Sequence, residues 1–213
     1  MANECNNQDL VLVNKLKKGS KEAFYALVEK YESKVMGLAM RFTRNHQDAE
    51  EVTQDVFTTI YLKISEFEGK SAFSSWLYRV VVNTSFMKLR KRKQTEAMSL
   101  EDISPAMRQD FSQEFSMSYQ RSDVMSSKKE ILDALELAIQ KLPEEYQSVF
   151  VLRDLNGLSN EEVSATLNIT IPAVKSRLHR ARLMLKKKLQ RTWDDYTGKA
   201  AKSDLSMQMA QVA

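Results

Sequence analysis

The stretch from Gly157 to Lys188, GLSNEEVSATLNITIPAVKSRLHRARLMLKKK, constrains the fold more than any other part of the chain. Ser159 and Glu162 stand three residues apart. At that spacing a hydroxyl accepts from the backbone N–H of the third helical residue, whose carboxylate reaches back to the cap. A helix therefore starts here, with Val163, Thr166 and Leu167 giving it an apolar side. Asn168 follows, a residue type that tolerates the left-handed conformation closing a helix. Thr170 then caps a second helix whose first turn holds Pro172, where the missing N–H has no bond to lose. Two helices joined by so short a turn make a helix-turn-helix.

The second of these helices divides by face. Val174, Leu178, Ala181 and Leu185 recur at helical spacing and are expected to be buried. Lys175, Ser176, His179 and Arg180 lie on another side. No acidic residue falls between Val163 and Trp193, whereas Lys175, Arg177, Arg180, Arg182, Lys186, Lys187, Lys188 and Arg191 all do. Such a surface attracts phosphates, and the residues near its N-terminus are placed to read base edges in a major groove. A basic surface helix with no nucleic-acid partner is the alternative, and the caps and the turn weigh against it.

Elsewhere the chain also reads as helix. Only 5 Gly and 3 Pro occur in 213 residues, too few for the turns of an all-β or α/β protein of this length. The expectation is an all-α protein: two small helical domains joined by a flexible linker, the second containing the helix-turn-helix. The first domain spans 9–93. Gly19 ends a short helix and Ser20 caps the next, which carries an apolar stripe through Phe24, Leu27, Val28, Tyr31, Val35, Leu38 and Phe42. Asn45 caps a third helix with Ala49, Val52, Val56 and Ile60 inward, widened by Phe57, Tyr61 and Ile64. Ser71 is placed to cap a fourth, with Phe73, Trp76, Leu77, Val80 and Thr84 on one face. Residues 94–127 are polar, contain Pro105 and lack a period, the composition of a linker. The second domain spans 128–192. Its first stripe runs through Ile131, Leu132, Leu135, Ala138, Ile139 and Leu142, and Pro143 opens the next helix ahead of Glu144 and Glu145. Residues 193–213 are expected to be a disordered tail.

Two further surfaces stand out. Lys88, Arg90, Lys91, Arg92 and Lys93 follow Phe73, Trp76, Tyr78, Arg79, Asn83 and Phe86, and aromatic groups beside a basic run suit single-stranded nucleic acid. Phe73 and Trp76 share the buried stripe and read first as core, whereas Ser75, Arg79 and Asn83 point away from it. On the third helix Asp48, Glu50, Glu51, Gln54, Asp55 and Thr58 form a polar side. That side is either solvated or a docking surface for a basic partner.

Other function classes find little support. The single cysteine, Cys5, builds neither a disulfide nor a zinc site. The two histidines, His46 and His179, sit in unrelated settings, so no metal centre, cofactor or catalytic cluster is expected and an enzyme is not. The run Asn3 to Asp9 is not a signal peptide, and no apolar run approaches the roughly 18 residues needed to span a bilayer. A cytoplasmic protein without membrane insertion is expected.

Three strings, in order, resemble the sigma-70 family, specifically its extracytoplasmic-function (ECF) group. DAEEVTQDVFTTIYLKI, from Asp48 to Ile64, is similar to the helix by which sigma factors grip the polymerase clamp. SAFSSWLYRVVVNTS, from Ser71 to Ser85, is similar to the segment that melts the promoter and reads its −10 element. The stretch from Leu142 to Leu189 resembles the domain that reads the −35 element. The resemblance implies a transcription initiation factor whose partners are core RNA polymerase, promoter DNA and an anti-sigma factor. It implies that Asp48, Glu51, Gln54 and Asp55 face the polymerase. Lys70, Ser71, Phe73, Ser75, Trp76, Arg79, Asn83, Lys88 and Arg90 would then serve the −10 element, with the loop from Glu66 to Phe73 holding a flipped base. Lys175, Ser176, Arg177, His179, Arg180 and Arg182 would serve the −35 element. Three positions depart from the family pattern: Ser164 for a small Ala, Asn168 for Gly, and Ala173 for Thr. Ala173 lacks a hydroxyl for a phosphate, so no contact is expected there.

Overall fold

The computed structural model describes the backbone of residues 2–101 and 126–210, and the side chains of 8–95 and 132–190. No strand occurs among the described residues. The helices are α1 (Ala2–Lys17), α2 (Lys21–Thr43), α3 (His46–Lys63), α4 (Phe73–Glu101), α5 (Ser126–Gln140), α6 (Glu144–Phe150), α7 (Asn160–Leu167) and α8 (Ile171–Ala210). A 3₁₀ turn, Ile64–Glu66, follows α3, and a π-helical turn, Val151–Leu155, extends α6.

The chain forms two compact units. The first combines Met1–Ser104 with Val151–Lys175, and the second combines Pro105–Phe150 with Ser176–Ala213. Two helices also outrun their expected ends. Residues 94–101, read as linker, continue α4. Residues 193–210, read as a disordered tail, continue α8, in a stretch rich in helix formers with one interrupting glycine, Gly198. The rest of the expected linker, 102–125, lies outside the described residues.

In the first unit, local chemistry sets the helix starts. The Ser20 hydroxyl accepts from the Ala23 N–H at 3.2 Å, and the Asn45 side chain accepts from the Asp48 N–H at 3.0 Å. Between them α2 ends on Arg44, which is left-handed at φ 55°. The start of α4 differs from expectation: Ser75 and Trp76 donate to the Ala72 carbonyl, so Ser71 lies one residue outside the cap.

Four elements, α1, α2, α3 and α7, pack against α4, which therefore buries more than one stripe. Phe73, Leu77, Val81, Val82 and Phe86 are all buried, while Val80 and Thr84 are only half-buried. They meet Leu27, Tyr31, Val35, Leu38 and Phe42 of α2 and Val52, Val56 and Ile60 of α3 in one apolar core. Edge-on aromatic pairs stitch it, Tyr31 to Phe73 at 5.6 Å and Phe42 to Phe86 at 5.2 Å. Tyr61 on α3, expected inward, is exposed.

The second unit buries Ala138, Ile139, Leu142, Val149 and Phe150 with Leu178, Ala181 and Leu185 of α8. The Pro143 carbonyl accepts from Tyr146 and Gln147, which puts Pro143 at the cap of α6, one residue before its first turn. Leu132, expected in the stripe of α5, is exposed.

Candidate nucleic-acid interface

The helix-turn-helix is built as its sequence spacing dictates. Both halves of the capping box form: the Glu162 N–H donates to the Ser159 hydroxyl at 3.1 Å, and the Ser159 N–H donates to the Glu162 carboxylate at 2.7 Å. Foremost its backbone hydrogen bonding, and then that to Ser159, holds the neighbouring Glu161 carboxyl below its ordinary value. Asn168 closes α7 in the left-handed region, φ 55° and ψ 47°. The Ser164 hydroxyl donates to the Ile169 carbonyl at 2.5 Å, so this departure from the family pattern adds a tie across the turn. Thr170 caps α8 through the Ala173 N–H at 3.4 Å.

Along α8 the two faces separate as expected. Val174, Leu178, Ala181 and Leu185 are buried, and Lys175, Ser176, His179, Arg180 and Arg182 are exposed. Arg177 departs from this set: it is half-buried and its guanidinium meets the Glu145 carboxylate of α6 at 3.3 Å. An arginine held on its own unit braces the helix.

The expected single-strand surface on α4 is more divided. Lys70 is exposed and bonds Glu68, which raises its ammonium above the ordinary value through that hydrogen bond first and the attendant charge second. Asn83 and Arg90 are exposed, and Ser71 and Trp76 are half-buried. Phe73 and Ser75 are buried, at 1% and 4% exposure. The Phe73 ring lies against Tyr31, Phe67 and Trp76, so it is a core residue and not a base-stacking one. Ser75, expected to point outward, is enclosed because α4 is packed on several sides. Phe73→Ala is expected to lower unfolding stability by about 3–5 kcal/mol, measured by urea denaturation. A loss below about 1 kcal/mol would contradict the burial.

The acidic side of α3 is partly spent within the same unit. Asp48 is buried; its carboxylate meets the Arg92 guanidinium at 2.8 Å and the Lys88 ammonium at 3.5 Å. Lys88 also bonds Glu51. That hydrogen bond is the main reason the Lys88 ammonium titrates above its ordinary value, with smaller contributions from the charges of Glu51 and Asp48. Asp48 and Lys88, expected to face different partners, thus bind α3 to α4. Gln54 and Asp55 remain exposed.

Sequence reasoning missed three participants. Phe67 is buried at the centre of the aromatic cluster, 5.9 Å from Phe73 and 5.5 Å from Trp76; no period flags a single aromatic residue in a loop. Arg92 was one member of a basic run, and nothing local marks it as the partner of Asp48. Arg41 donates to the Leu155 carbonyl, a bond across 114 residues that no spacing rule anticipates.

Comparison with known proteins places these features in order along one family. The sigma-70 region 2 family matches residues 27–95, and the sigma-70 region 4 family matches residues 132–185. The RNA polymerase sigma-H factor of Pseudomonas aeruginosa is 34% identical over 188 residues, covering 86% of this chain and 94% of that protein. The ECF RNA polymerase sigma factor SigW of Bacillus subtilis is 32% identical over 178 residues, covering 84% and 95%. Among solved structures, CnrH in complex with the cytosolic domain of CnrY is similar with a TM-score of 0.59 at 22% identity, covering 86% of this chain and 97% of that one. The sigma factor RpoE in complex with the anti-sigma factor NepR, from Bartonella quintana, is similar with a TM-score of 0.54 at 23% identity, covering 78% and 96%.

Proposed function

This chain belongs to the sigma-70 family, among its extracytoplasmic-function members, and from that premise we propose how its surfaces divide the work of initiation. Members of this family recognise promoters and start transcription with RNA polymerase. Residues 9–93 serve core binding, −10 recognition and strand opening, and residues 128–192 serve −35 recognition. The exposed quartet Lys175, Ser176, His179 and Arg180 reads base edges, since it stands on the open face of a capped helix in a helix-turn-helix. Arg79, Asn83 and Arg90, with Lys70, Ser71 and Trp76, serve the displaced strand. Gln54 and Asp55, with Glu51 at the edge, present a polar surface to the polymerase.

A place beside core polymerase puts the chain in the bacterial cytoplasm. Among the described residues no helix is long and apolar enough to cross a membrane, and no group of His, Cys, Asp and Glu is arranged to hold a metal ion. The solved complex of RpoE with the anti-sigma factor NepR supports the reading that an anti-sigma factor regulates this chain too.

The observation that carries the reading is the order of the two family matches, 27–95 and then 132–185, with the reading face of α8 exposed. Run-off transcription with purified bacterial core polymerase tests it. Promoter-dependent transcripts are expected only when the chain is added. Sequence-specific duplex binding with no effect on core would instead make it a helix-turn-helix regulator of another kind.

A further inference from the structure

We propose that Lys17, the last residue of α1, is a positioning residue for −10 recognition: it pins the backbone of Phe67, where the loop that carries Lys70 and Ser71 begins. The proposal rests on the reading of Lys70, Ser71 and Trp76 as contacts to the displaced strand. Lys17 lies ahead of residues 27–95, the segment that the region 2 family matches.

The loop has little structure of its own to hold it. Residues 67–72 run between the 3₁₀ turn and α4, and Gly69 bends them in the left-handed region at φ 74°. The Phe67 N–H closes the 3₁₀ turn by donating to the Ile64 carbonyl at 3.2 Å. Its carbonyl accepts from the Lys17 ammonium, 50 positions away in sequence. That bond is charge-assisted, and so roughly twice as strong as one between neutral groups. The same ammonium stands 5.8 Å from the centre of the Phe67 ring, within reach of its π face. Lys17 is felt one residue further on as well. The Glu68 carboxyl is held below its ordinary value by its hydrogen bond to Lys70 first and the Lys70 charge second, with a smaller contribution from the charge of Lys17.

Lys17 can hold the loop because α1 is itself fixed. About two turns earlier, Asp9 is only 2% exposed. Its carboxylate accepts from the Lys30 ammonium and the Tyr31 hydroxyl of α2, at 2.5 Å each. Val13 and Leu16, on the same side of α1, are buried. Tyr31 in turn meets Phe73 edge-on at 5.6 Å, and Phe73 and Trp76 both lie against Phe67, at 5.9 and 5.5 Å. A continuous path of contacts thus leads from Asp9 through Tyr31 and Phe73 to Phe67, the residue that Lys17 holds.

Reading one base against three others requires groups held within about 0.5 Å of their places. A loop released at its first residue keeps Lys70 and its charge but loses that precision. Base preference therefore falls, while attraction to phosphate, which carries no sequence information, remains.

The test uses the full chain with core polymerase, transcribing a promoter library randomised at the −10 and −35 elements, at one fixed salt concentration. Lys17 is exposed, so Lys17→Met keeps the apolar stem and removes the charged donor without opening the core. It is expected to flatten the preference at one −10 position by about threefold to tenfold. Preference at −35 and affinity for core are expected to stay within about twofold of the parent. Lys17→Arg, which keeps a charged donor, is expected to retain the −10 preference. An unchanged −10 preference in Lys17→Met would overturn the proposal, as would an equal loss at both elements, the mark of a general loss of structure. So would a loss in Lys17→Arg as large as that in Lys17→Met. Replacing Lys70 and Ser71 together by Ala tests the underlying reading. An unchanged −10 preference there would overturn strand contact by this loop, and the positioning with it. A changed preference there beside an unchanged one in Lys17→Met would overturn the positioning alone. Hydrogen exchange gives a second measurement: Lys17→Met is expected to speed exchange at the amides of residues 67–72 and not in α2, and unchanged exchange in the loop would also overturn the proposal.

Discussion

Arg180→Ala is expected to reduce initiation from promoters that depend on the −35 element by roughly tenfold or more, and to relax selectivity at one or two of its positions. Arg180 is exposed on α8, one turn beyond Ser176 and beside His179, with Ala181 behind it in the core. A guanidinium in that position makes a bidentate contact with a guanine edge, worth about 1–3 kcal/mol of discrimination, and about 1.4 kcal/mol is already tenfold. Lys187, two turns further along and also exposed, is expected to touch phosphate at most, so Lys187→Ala weakens all promoters about equally. The comparison uses holoenzyme on a library of −35 variants at one salt concentration, since phosphate attraction falls steeply with salt. An unchanged base preference in a stable Arg180→Ala protein would remove this residue from the reading face.

The second large effect is expected at the polymerase surface. Replacing Gln54 by Ala and Asp55 by Lys together should weaken affinity for core polymerase by roughly tenfold, because a reversed charge in an interface is repelled where the original was attracted. Both side chains are exposed, and neither belongs to the paired cluster of Asp48, Lys88 and Arg92, so folding stability should move by only about 0.5 kcal/mol. Circular dichroism checks the fold and a titration of labelled chain with core checks the binding. Affinity within about twofold of the parent would assign the docking surface elsewhere.

The contrast between α3 and α8 explains why one site was read more fully than the other. On α8 every reading-face residue is defined by the register of a single helix, so the pattern Val174, Leu178, Ala181 and Leu185 is enough to turn Arg180 outward. On α3 the same logic put Asp48 on a polar side, yet the tertiary fold buries it against Arg92, 44 residues away. Arg177 and Arg79 follow the same rule. Each found a partner on another helix.

What the sequence alone determined is what short-range hydrogen bonding encodes. Ser20, Asn45, Ser159 with Glu162, Asn168 and Thr170 act within about four residues of their partners, so their spacing suffices to mark where helices begin and end. The all-helical class and the helix-turn-helix follow from them together with the 3.6-residue stripes. Tertiary structure decided which stripes are widened or covered, as with Ser75 and Tyr61, and which charges are already satisfied, as with Asp48, Lys88, Arg177, Arg41 and Arg79. Those outcomes depend on the distance between helices far apart in the chain, a quantity set by packing, and no local pattern of residue types carries it.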